Sequence, residues 1–79
     1  MLSNRQQCDL VFNKLRNLGY AIKHITFSQD QELQICISKR FGDYHHGEVM
    51  CALASLGHVV NMVDEVTQPP YVTIQSYML

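Results

Sequence analysis

Apolar residues along this chain recur first with a helical period and then with an alternating one, and that succession of periods occurs twice. Cys8, Val11, Phe12, Leu15 and Leu18 are spaced for one face of a helix, and Ser3 with Gln6 is a capping-box signature. The pattern predicts a helix over about residues 4–18 that stops at Gly19. "YAIKHITFS" then reads as a strand rich in β-branched and aromatic residues, "QDQE" as a turn, and "LQICISK" as a strand alternating Leu33, Ile35 and Ile37 with Gln34, Cys36 and Ser38. After "RFGDYHHG", His46, Val49, Met50, Leu53 and Leu56 share a second helical stripe that ends at Gly57. "HVVNMVDEV" and "YVTIQSYM" read as two more strands, separated by "TQPP".

The order is α-β-β-α-β-β, and a shift of 38 positions lays Val11 on Val49, Leu15 on Leu53, Leu18 on Leu56, Gly19 on Gly57 and Ile22 on Val60. A helix with one hairpin cannot bury its apolar face alone, whereas two such units form a four-stranded antiparallel sheet with both helices on one face. The expected fold is therefore a single α+β domain, residues 1–79, made of two αββ repeats at about 3–39 and 43–79. In the shared L-x-x-L-G, a left-handed glycine ends the helix and turns the chain back along it.

The helix, L-x-x-L-G and hairpin in "FNKLRNLGYAIKHITFSQDQELQICIS" resemble a stretch of the ferredoxin-like regulatory domains of the ACT type, over about a third of the chain. The resemblance implies a ferredoxin-like sheet or, because the chain opens on the helix and closes on an additional strand, a circularly permuted version. It also implies a function, the sensing of a small metabolite at a dimer interface.

Strict alternation places Ile22 on one side of the first strand and Ile25 and Phe27 on the other, and in the third strand it sets Val60 and Met62 against Val59 and Val63. Both sheet faces then carry apolar residues, although helices cover only one. Either β-bulges switch the alternation or the second face is buried, and a second copy of the chain is the expected cover.

Composition narrows the class. Hydrophobic residues make up 47% and charged residues 16%, a globular balance, and no apolar run is long enough for a membrane span. The formal net charge of -1 gives no general pull toward nucleic acid or anionic lipid. Three widely spaced cysteines and the polar "SNRQQ" near the start lead to the expectation of a cytoplasmic protein without disulfides or a secretory signal.

The densest chemistry lies in "FGDYHHGEVMC". Asp43, His45, His46, Glu48 and Cys51 are all potential metal ligands, but adjacent histidines point about 100° apart around a helix. Asp43 is instead expected as the helix N-cap, Glu48 as a first-turn acid, His46 at the edge of the core and Cys51 as a packing residue. No phosphate loop, nucleophile elbow or H-E-x-x-H is present. "SKRF" beside Tyr44 gives a weak nucleic-acid signal, two basic residues being too few for a stripe.

The expectation is thus a non-catalytic regulatory module, without cofactor or metal, that binds a protein partner and itself. Arg40, Tyr44 and His45, which the helix leaves without a structural task, are the expected partner contacts.

Overall fold

A computed structural model describes residues 3–28, 30–38, 44–67 and 70–78. The first helix, α1, spans Asn4–Asn17. Its start is the capping box read from the sequence: the Gln6 amide donates to Ser3 Oγ at 3.2 Å and the Ser3 amide donates to Gln6 Oε1 at 2.9 Å. At its end Gly19 takes φ +98°, its amide donates to the Arg16 carbonyl, and the Tyr20 amide donates to the Leu15 carbonyl. The chain then folds back along the helix as β1, Ala21–Phe27, and returns as β2, Leu33–Ser38.

The second unit repeats the plan. Helix α2 spans His46–Ser55, Gly57 takes φ +86°, and β3 (His58–Asp64) and β4 (Tyr71–Met78) follow. Helix α2 begins later than Asp43 would allow. Its N-cap is His45, which makes no side-chain cap bond, and Asp43 lies outside the described residues.

The four strands form one antiparallel sheet in the order β1-β2-β4-β3, so the second strands of the two units pair at the centre and the first strands lie at the edges. Two helices on this open sheet make an α+β protein. The hydrophobic core is Val11 and Leu15 of α1, Val49 and Leu53 of α2, Leu33, Ile35 and Ile37 of β2, and Val72 and Ile74 of β4. Each helix contributes a narrow i, i+4 pair, and the flanks of the expected stripes are open: Phe12, Leu18 and Met50 are exposed. Cys51 is exposed as well, one position away from buried Ala52, and is not a packing residue.

The conflict in sheet faces is resolved by bulges. The register of β1 with β2 shifts between Ile22 and His24, and that of β3 with β4 shifts between Val60 and Met62. One extra residue in each strand, Lys23 or Asn61, turns Ile22, Ile25 and Phe27 to a common face, and likewise Val60 and Val63. All of these pack toward the helices. The two extra residues are themselves 38 apart, and the pair Ile25–Ile35 recurs as Val63–Ile74 with the second strand offset by 39. Ile35 pairs with Ile74, its own counterpart, so the local two-fold relation between the units passes through that central pair.

The middle of the outer face is consequently mostly polar, while Val59 and Tyr77 pair at one end of it. His24, Cys36, Thr73 and Asp64 form one row across it, and Thr26, Gln34, Gln75 and Met62 form the next. Both bulge residues reach across this face over a central strand. Lys23 Nζ sits 4.2 Å from the centroid of the Tyr71 ring, and Asn61 Nδ2 donates to Glu32 Oε1 at 3.4 Å. Lys23 thereby ties edge strand β1 to inner strand β4, and Asn61 ties edge strand β3 to Glu32, the residue just before inner strand β2.

Candidate functional site

The start of α2 holds the most closely built group of polar side chains among the described residues. Tyr20 follows the left-handed Gly19, is 6% exposed, and packs at the end of the core. Its hydroxyl accepts the His45 amide hydrogen at 2.8 Å. A helix start leaves its first amides without intrahelical partners, and His45 does not cap with its side chain, so the Tyr20 hydroxyl satisfies one of those donors from another part of the chain.

Tyr44, directly before the cap, is 8% exposed, and its ring lies 6.1 Å from that of Tyr20 at 56°. Its hydroxyl meets His46 Nδ1 at 3.0 Å, with the two rings 5.8 Å apart and tilted by 45°. Burial first, then the nearby Tyr20 and Glu65, push the Tyr44 phenol up to about 12. The phenol therefore stays protonated at neutral pH. The Tyr44 hydroxyl thus occupies Nδ1 of His46, whose residue is otherwise exposed.

Of the residues expected to contact a partner, His45 is exposed, Tyr44 is buried, and Arg40 lies outside the described residues. Tyr44 thus has the structural task that the sequence reading denied it. His46 is exposed and polar-bonded instead of lying at the core edge. Tyr20 was missed as part of the site, although its place directly after L-x-x-L-G was a usable signal. Of the potential donors, Asp43 lies outside the described residues, and among the described residues no three His, Cys, Asp or Glu side chains are grouped for a metal.

Two grooves flank the helices. One, of about 270 Å³, lies between α1 and the bulged stretch of β1, with Cys8, Asp9 and Phe12 facing residues 22–25. Desolvation, then the Asp9 carboxylate, push the Cys8 thiol up, so it is held as the poorly nucleophilic thiol. The other groove, of about 360 Å³, runs between the helices past Lys14, Leu18, Glu48 and Cys51.

On the sheet face, Lys23 covers the Tyr71 ring that a nucleobase would need, and Asp64 adds negative charge. The Asp64 carboxylate accepts from the Val66 and Thr67 amides at 3.0 Å each. Bonds from the Thr67 side chain, then from the Thr67 and Val66 backbone, hold it below the ordinary carboxylate range.

No protein-family model, no curated protein and no solved structure matches the chain. What the fold and site define is a small α+β protein with two exposed histidines at a helix start, the backbone of the first and the ring of the second each bonded to a buried tyrosine. No helix among the described residues is long and apolar enough to cross a membrane.

Proposed function

We propose that this chain is a small non-catalytic binding module that acts through protein–protein contact, works as a homodimer, and presents the start of α2 to its partner. The observation that carries the reading is the double anchoring of that segment. Tyr20 holds the His45 backbone and Tyr44 holds the His46 ring, so the backbone of the segment and one exposed imidazole are displayed with less conformational entropy left to lose on binding. Self-association is supported by Leu10, Leu18 and Met50, which are 42%, 40% and 43% exposed on the helix layer.

The strand order β1-β2-β4-β3 supports reading the fold as a duplicated unit in a circularly permuted ferredoxin-like arrangement, in which β4 fills the place of the strand that would precede α1.

The groove between α1 and β1 favours a second reading, a metabolite sensor, because an apolar floor of Ile22 and Ile25 carries Asp9, Lys23 and His24 around it. Affinity capture from the native host with the full chain as bait tests the first reading: one dominant partner supports it. A thermal shift with a metabolite, together with no dominant partner, replaces it by the second. Sedimentation that gives only monomer at high protein concentration removes the dimer.

A further inference from the structure

Two buried polar atoms on the helix-facing side of the sheet have no hydrogen-bond partner among the described residues: His58 Nδ1 and Ser76 Oγ. His58 is 3% exposed and Ser76 is 0% exposed. Val60 pairs with Ser76 and His58 with Met78, so His58 and Ser76 are diagonal neighbours on β3 and β4. Such diagonal neighbours stand ~7–8 Å apart, Cβ to Cβ somewhat less, which is within the reach of a single bridging water.

The internal repeat places smaller side chains around these two atoms. Under it His58 corresponds to Tyr20, Val60 to Ile22 and Ser76 to Ile37, and at all three places the second unit carries the smaller side chain. The same comparison explains the loss of the phenol. Tyr20 serves the His45 amide because α2 begins there, whereas α1 begins a turn earlier, and the amide of the equivalent residue, Gln7, already donates to the Ser3 carbonyl at 3.0 Å. Position 58 therefore has no helix-start amide to satisfy, and a shorter polar ring is tolerated. Lost volume and two unpartnered polar atoms coincide at one point in the second unit. An empty space there would leave both groups desolvated without compensation, each costly in a protein interior.

We infer that His58 Nδ1 and Ser76 Oγ share a buried water, bound between β3 and β4 beneath the helix layer. Neutral His58 accepts from the water at Nδ1, and Ser76 supplies the second anchor through a hydroxyl that rotates to donate or accept. The water thus replaces the volume and the hydrogen bonding that Tyr20 and Ile37 provide in the first unit.

A crystal structure of the full chain, at a resolution that shows ordered water, tests this together with the thermal stability of Ser76→Ala. The expected result is density for one water in hydrogen-bond contact with both atoms, and a Tm of Ser76→Ala lowered by roughly 5 °C, the shift that one lost hydrogen bond gives in a domain of this size. A dry site overturns the inference. So does a Ser76→Ala variant that is more stable than the parent, since removing an uncompensated hydroxyl would then have relieved a cost.

Discussion

Replacing Tyr20 by Phe removes one oxygen from the core and keeps the ring, which makes it a direct probe of how the start of α2 is held. The lost bond is short, 2.8 Å, and joins positions 25 residues apart, so no local rearrangement of the helix restores it. The bond is part-buried and His45 as a residue is exposed, which sets the expected cost at the net value of a hydrogen bond, about 1 kcal/mol. For a chain of this length that corresponds to a fall in Tm of roughly 4–8 °C. Removing the Tyr44 hydroxyl with Tyr44→Phe frees only an exposed imidazole and should cost less, about 0.5 kcal/mol. Calorimetry gives the stabilities, and hydrogen exchange at the His45 amide gives the local effect, which should accelerate in Tyr20→Phe and change little in Tyr44→Phe. Equal stability of Tyr20→Phe and the parent, with unchanged exchange at His45, would refute the tether.

Other expectations follow from the same geometry. Gly19→Ala should cost about 1–2 kcal/mol from its left-handed backbone alone, because no described atom lies within 4 Å of the added methyl; chemical denaturation measures it. Burial lowers the His58 pKa below its ordinary 6.5, so the folded state resists protonating it. The stability that neutral His58 supports is complete above pH 6.5 and is lost as the pH falls from there toward the lowered folded value, and denaturation midpoints in His58→Phe should lack that part of the slope. Thiol labelling of the native protein should modify exposed Cys51 rapidly and Cys36 only on unfolding; equal rates would contradict the burial of Cys36 against the outer face. Deleting Lys23 removes the β1 bulge but leaves Ile22 and Ile25 two positions apart on a regular strand, so Ile22 should stay in the core and the deletion should cost little more than Lys23→Ala, which also loses the Tyr71 contact; a large extra loss by chemical denaturation would contradict the bulge assignment.

The fold was largely legible because its signals are local. The capping box, both left-handed glycines and the element order all follow from short stretches such as Ser3–Gln6 and L-x-x-L-G. The bulges carry no comparable residue signature. Their trace was the parity conflict between Ile22 and the pair Ile25 and Phe27, repeated 38 positions later by Val60 and Val63, and an extra residue in each edge strand explains both without a second buried face. The site was harder to read. Tyr44 sits in a polar stretch, and only the return of the chain after Gly19 places Tyr20 against it, a contact that spacing does not encode. The start of α2 was misplaced for a related reason: Asp43 suits an N-cap locally, yet a residue from the first unit serves the helix start at His45.

The central claim is that the segment at His45 and His46 is the contact surface. Its most direct test is the affinity of the captured partner for the full chain, for His45→Ala/His46→Ala, and for Gln31→Ala as a control on the remote β1–β2 turn. The account predicts at least a tenfold loss in the double variant, equivalent to ~1.4 kcal/mol, with the control unchanged and the fold intact by circular dichroism. Full affinity in the double variant would contradict it.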